Sequence, residues 1–177
     1  MASEPPRAEL PGTGLPGAEL PSARRGWWLE DATPGRVLRH PGGRTVGEAE
    51  HVWLAWATHN VGDLHGDVQT ARRSGWDGPI VLGMLSAAMV IGLAEPAVPP
   101  PALAGLGLSR GWRSIRLTAA VRPGDTLRAE SEIRAVRDSP GGASGCVFRT
   151  IRGYDQRDTV VAIIEEEREV PRRPTDT

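Results

Sequence analysis

The chain has 177 residues, enough for one domain with a hydrophobic core and too few for a second of ordinary size. Its 21 basic and 22 acidic residues leave a net charge of −1 and are spread along the whole length, so neither a nucleic-acid footprint nor an attraction to an anionic membrane stands out. The single cysteine, Cys146, excludes an intrachain disulfide and a multi-cysteine zinc site, and no apolar run reaches the about 18 residues that a membrane span requires.

Residues 1–25 are rich in Pro, Gly and Glu, with Ala8-Glu9-Leu10-Pro11 echoed in Ala18-Glu19-Leu20-Pro21. Too few large apolar groups are present to offset the entropy of ordering, so the segment reads as a mobile tail. It lacks the apolar stretch of a secretory signal, and the protein is expected to be soluble and cytoplasmic. Trp27 and Trp28 follow, either docked on the body or lining a pocket. Arg36 to Thr45 reads as a short hairpin around Pro41-Gly42-Gly43. From Val46 to Ala57 the larger apolar residues Val52, Trp53 and Trp56, with Val46 and Ala49, recur at three- and four-residue spacing, which predicts a helix with that face in the core. Thr45 is the expected N-cap, with Glu48 completing a capping box. His40 and His51 are read as surface residues.

A loop from Thr58 to Asp67 and a short polar helix to Ser74 come next. Arg72-Arg73 on that helix suits either a solvated face or the phosphates of a coenzyme or carrier. Gly83 to Leu93 is apolar on nearly every side, the pattern of a helix buried all round. Pro96 stops it, and Pro99-Pro100-Pro101 opens a linker that is neither helix nor central strand. Four strands fill the remainder, at about 107–121, 125–137, 143–154 and 158–170, separated by turn chemistry at Arg122-Pro123-Gly124-Asp125, Ser139-Pro140-Gly141-Gly142 and Tyr154 to Asp158. Glu165-Glu166-Glu167 in the last strand reads as an edge or a solvated strand end. The sum is an α+β fold: one domain over 26–170, an antiparallel sheet wrapped around a central buried helix, and a short tail at 171–177.

Reactive side chains concentrate in Thr58-His59-Asn60-Val61-Gly62-Asp63-Leu64-His65-Gly66-Asp67. Without gaps, this segment resembles the hydratase motif of the MaoC-like family of (R)-specific enoyl-thioester hydratases and dehydratases. Asn60 stands at the family's catalytic Asp, His65 at its catalytic His, and Asp67 at its last Asp. Gly75-Trp76-Asp77-Gly78-Pro79-Ile80-Val81-Leu82-Gly83-Met84-Leu85 is similar to the family's segment leading into the central helix, and Arg122 to Leu127 to its late Pro-Gly-Asp-Thr-Leu turn. The resemblance implies a hot-dog fold and addition of water to an enoyl thioester, or the reverse, with the acyl group on coenzyme A or a carrier protein. It implies His65 as general acid/base, an N–H of Gly83 on the thioester carbonyl, and Leu82, Asp63 and Met84 around the substrate. It also implies a homodimer and no cofactor.

The segment departs from the pattern where it matters to chemistry. An amide at Asn60 cannot take up and release a proton at neutral pH, so three readings stand: Asn60 orients water or substrate while His65 moves every proton, Asp63 or Asp67 supplies the carboxylate, or the site binds a thioester without hydrating it. Gly62-Asp63 replaces Asn-Pro, and Leu82 replaces a common His. Rival readings are a non-catalytic acyl-thioester-binding partner subunit and a hot-dog thioesterase. His59, Asp63, His65 and Asp67 are ligand types for zinc or iron, but they lack the i, i+4 helical spacing of a pre-formed site, and no metal is expected.

Overall fold

The computed structural model describes residues 27–60, 62–95 and 107–174. In chain order the elements are β1 (Val37–Arg39), β2 (Arg44–Thr45), α1 (Glu48–Ala57), α2 (Asp63–Gly66), α3 (Val68–Arg73), α4 (Gly83–Leu93), β3 (Leu108–Leu117), β4 (Thr126–Asp138), β5 (Ser144–Tyr154) and β6 (Val160–Pro171). One antiparallel sheet runs β1-β4-β5-β6-β3, with β2 also on β4. The four long strands lie where turn chemistry leaves room for them. At the first turn Gly124 takes φ +93 and Asp125 N–H closes on the Arg122 carbonyl. At the last, the buried carboxylate of Asp155 accepts from the N–H groups of Arg157 and Thr159.

On β4, β5 and β6 every second side chain points to the same inner face. α4 lies on that face, and Ala87, Met89, Val90 and Ala94 pack with Leu127, Ala129, Ile151, Ala162 and Ile164. Small residues let helix and sheet close up: a Cβ on Gly153 would stand 2.2 Å from Val90 Cγ2. At the far end of the same face a second apolar cluster, Leu29, Ala32, Leu38, Ile133, Val147 and Val170, is covered by a 3-10 turn at Leu29–Asp31, with Trp27 packed against it. Between the two clusters lies a buried polar belt of Ser131, Arg149, Glu166 and Arg168, joined by His40.

Several expectations change in the structure. Arg36 to Thr45 is not a hairpin: β1 and β2 both pair with β4, as two lengths of one edge strand. Pro41 has no N–H to give the ladder and Gly42 takes φ +89, so the strand breaks there and resumes. α1 begins at Glu48 rather than after Thr45; the N–H of Gly47 donates to Glu50 Oε1, while Thr45 is on β2. The helix also turns the other way, because His51 and Ala55 are buried whereas Trp53 and Trp56 are 70% and 74% exposed. His51 finds hydrogen-bond partners inside, and His40, also buried, bonds Ser131, so neither histidine is the surface residue expected. α4 is not buried all round; Met84, Ala88 and Gly92 face away from the sheet, since a single sheet covers one side of a helix. Glu166 is neither at an edge nor solvated: β6 lies between β5 and β3, and the carboxylate is enclosed by Arg149 and Arg168.

The expected mobile tail at 1–25 and the Pro99–Pro101 linker lie outside the described residues. Of the expected C-terminal tail, residues 171–174 are described; Pro171 ends β6, Arg172 pairs with Glu30 and Asp138, and Arg173 pairs with Asp31. No helix among the described residues is long and apolar enough to cross a membrane.

Candidate active site

A cavity of about 350 Å³ opens where the start of α4 meets the end of β3. His65, Ile80, Val81, Gly83 and Ser86 line one side, and Leu117 to Val121 the other. His65 rides on α2, a single helical turn closed by the bond from its own N–H to the Gly62 carbonyl, 2.8 Å. Its Nδ1–H donates to the carbonyl of Ile80, 2.8 Å. A carbonyl oxygen only accepts, so this bond puts the proton of the neutral ring on Nδ1 and leaves Nε2 with a lone pair. Ile80 N–H returns a bond to the Leu64 carbonyl, 3.0 Å, so the turn that carries His65 is stitched on both sides to the segment leading into α4.

That lead-in is held residue by residue. Val81 N–H donates to Val121 O at 2.8 Å, and Leu82 N–H donates to Nδ1 of His51 at 3.4 Å. Leu82 is the N-cap of α4 and supplies no side-chain cap, so the N–H groups of Gly83, Met84 and Leu85 begin the helix with no carbonyl one turn back within it. Such a terminus favours a partly negative oxygen. A Cβ on Gly83 would lie 2.1 Å from Leu117 Cδ1, so the glycine leaves that side chain its place in the wall of the cavity.

Of the residues singled out from sequence, His65 and Gly83 meet in this cavity. Asn60 is exposed at the end of α1, its N–H on the Ala55 carbonyl; Asn60 Oδ1 and His65 Cδ2 both adjoin Gly62, within 4.0 and 3.6 Å of where a Cβ would be. Asp63 is exposed in the first turn of α2, and Met84 is 62% exposed on the outer side of α4. Leu82 is buried behind the cavity wall. Asp67 is occupied as the N-cap of α3, accepting from Gln69 N–H and Thr70 Oγ1; the hydrogen bonds from Thr70, then from Gln69, hold its carboxyl below the usual range. Trp27 packs against the distant apolar cluster and does not line this cavity.

Sequence reasoning passed over Ser86, Ile80 and His51. Ser86 was accessible in principle, since a residue three after Gly83 shares its helix face; its hydroxyl donates to Leu82 O, 3.4 Å. Ile80 acts through a backbone carbonyl, which leaves no mark on side-chain patterns. Among the described residues no group of three or more His, Cys, Asp or Glu side chains is placed to hold a metal ion.

Comparison with known proteins bears on the family and the fold. A family model described as MaoC like domain matches residues 30–146. A mesaconyl-CoA hydratase from Cereibacter sphaeroides is 31% identical over 136 residues, which are 77% of this chain and 38% of that protein, so the chain spans well under half of that relative. Among solved structures, a MaoC-like dehydratase from Rhodospirillum rubrum is similar with a TM-score of 0.71 and 26% identity, covering 85% of this chain and 100% of the other. A protein from Mycobacterium tuberculosis described as having a double hotdog fold matches with a TM-score of 0.70 and 22% identity, over 86% of this chain and 46% of its own. The sheet wrapped on α4 is thus a hot-dog fold, and the chain belongs to the MaoC-like domain family.

Proposed function

We propose that this protein adds water to a 2-enoyl thioester, or removes it from a 3-hydroxyacyl thioester, with His65 as the single group that moves the proton. The carrying observation is the bond from His65 Nδ1–H to Ile80 O, which leaves Nε2 as an acceptor on a residue that lines the same cavity as the start of α4. In the hydration direction Nε2 takes a proton from water as its oxygen bonds to the β-carbon. The electron pair of the double bond moves toward the thioester carbonyl, whose oxygen draws on the N–H of Gly83, and the proton on Nε2 then passes to the α-carbon. In this reading Asn60 orients water or substrate, and Asp63, Leu82 and Met84 serve the substrate from outside the cavity lining. The acyl group is delivered by coenzyme A or a carrier protein, and β3, one of the two edges of the sheet among the described residues, is where a second copy would add to form a homodimer.

A second reading has support of its own: no Asp or Glu among the described residues lines the cavity, and the position of the family's Asp holds Asn60. That composition suits a subunit that binds an acyl thioester without turning it over. A hydration assay over crotonyl-type and mesaconyl-type coenzyme A thioesters, with His65→Ala beside the unaltered protein, separates the two. Loss of at least about 100-fold in turnover in His65→Ala is expected, the scale of one general acid/base group. Tight acyl-thioester binding without turnover in the unaltered protein would replace the hydratase reading by the binding one.

A further inference from the structure

His51 lies outside the cavity lining, yet it touches both halves of the site. It sits on the buried face of α1, 1% exposed. Its Nε2–H donates to the backbone carbonyl of His65, 2.8 Å. Its Nδ1 accepts the N–H of Leu82, the residue that opens α4, at 3.4 Å. The two imidazoles stand edge to face, centroids 6.0 Å apart at 74°.

The direction of each bond follows from its partner. A carbonyl can only accept, so the proton of His51 is on Nε2; a backbone N–H can only donate, so Nδ1 must keep its lone pair. A single form of the ring, neutral with its proton on Nε2, satisfies both. Protonation would set two N–H groups against each other at Leu82. The same ring therefore spans the backbone of the residue that bears the base and the backbone that begins the helix.

We propose that His51 is a positioning residue, one that fixes the distance between His65 and the N-terminus of α4 and holds α1 against both. The proposal rests on the hydratase reading for its kinetic consequence and on the hydrogen-bond geometry alone for its structural one. Catalysis is sensitive to such spacing, since misplacement by about 1 Å can cost on the order of 100-fold in rate.

Three substitutions divide the role. His51→Gln keeps a donor near the Nε2 position, His51→Asn keeps an acceptor near the Nδ1 position, and His51→Phe fills the space with neither. In a folded His51→Phe protein kcat is expected to fall by about 100-fold while KM changes little, with part of the rate restored in Gln and Asn. A packing role alone would lower the melting temperature and leave kcat per folded molecule unchanged, and that outcome overturns the proposal.

Nitrogen-resolved imidazole NMR on the unaltered chain supplies a test that needs no activity. The expected spectrum places the proton of His51 on Nε2 and that of His65 on Nδ1, with the His65 signal displaced in His51→Phe. A His51 ring protonated on Nδ1, or a His65 signal indifferent to His51→Phe, overturns it. A chain that turns over no thioester yet gives the expected spectra would remove the hydratase reading and leave His51 as the link between the two backbones.

Discussion

The inner face of the sheet has two unlike stretches laid down by the same alternation. Under α4 it is apolar, with Leu127 and Ala129 on β4, Ile151 on β5 and Ile164 on β6. A few residues along the same strands, and pointing the same way, it carries Ser131, Arg149, Glu166 and Arg168. The pleat sets direction, so a charged residue at an inward position goes inward whatever its polarity, and it persists there only if it is paired. Arg149 stands opposite Glu166 in register, and its Nε bonds the carboxylate at 2.5 Å; Arg168 also pairs with Glu166, and both arginines reach Glu95. Burial by itself would raise the carboxyl of Glu166, but the two guanidinium groups override it and hold it below the usual range.

The two stretches also act on different parts of one helix. The apolar one packs the side of α4, whereas the belt holds its end: Arg149 Nη1 donates to Ala94 O at 3.2 Å, a cation at a helix C-terminus. With an end held, the rise of about 1.5 Å per residue sets where Gly83 falls at the cavity.

The largest expected effect comes from breaking the belt. Glu166→Ala removes the buried carboxylate that Arg149 and Arg168 share, and should cost about 3–5 kcal/mol in urea denaturation. A cost below about 1 kcal/mol would mean that water reaches the belt readily and that it does not hold the helix end.

Acid should probe the belt next. Burial, then Arg149 and Arg168, push the imidazole of His40 from 6.5 down to about 4. As pH falls through this window the unfolded chain takes up a proton that the folded chain refuses, so stability falls with pH, by up to about 1.4 kcal/mol per unit. Above the upper limit His40 contributes nothing to the pH dependence. His40→Gln should flatten the slope between these limits, as measured by denaturation at a series of pH values; an unchanged slope would put the acid sensitivity elsewhere.

On the apolar side, Gly153→Ala drives a methyl into Val90 and is expected to cost about 1–3 kcal/mol. A double variant with Val90→Ala should recover part of that loss, because the methyl then fills the vacated space.

What could be read from sequence divides along the same line. The four long strands, their turns and the placing of His65 and Gly83 rest on local signals: alternation, Pro-Gly punctuation and a gapless motif. The belt is hidden from this reading because the acidic run at 165–167 reads as a property of its own strand, whereas the burial of Glu166 depends on Arg149, an opposite partner known only from register. Asp67 was legible as reactive but not as already engaged, since its capping bonds to Gln69 and Thr70 depend on where α3 begins. His51 was lost for a related reason: apolar spacing on α1 favours the face with Trp53 and Trp56, and two backbone groups brought in from Leu82 and His65 reverse it.

The smallest expected effect tests that reversal. With both indoles largely in solvent, Trp53→Ala and Trp56→Ala should each change the stability of the folded unit by no more than about 0.5 kcal/mol, the ordinary range for surface substitutions. If these rings filled the core as their spacing suggests, each truncation would instead cost about 3–5 kcal/mol, so one denaturation curve per variant decides which face of α1 is buried. Repeating the measurement at several protein concentrations adds a second reading. A loss that grows as the protein is concentrated would show that the indoles lie against another copy, because only a bimolecular contact makes apparent stability depend on concentration.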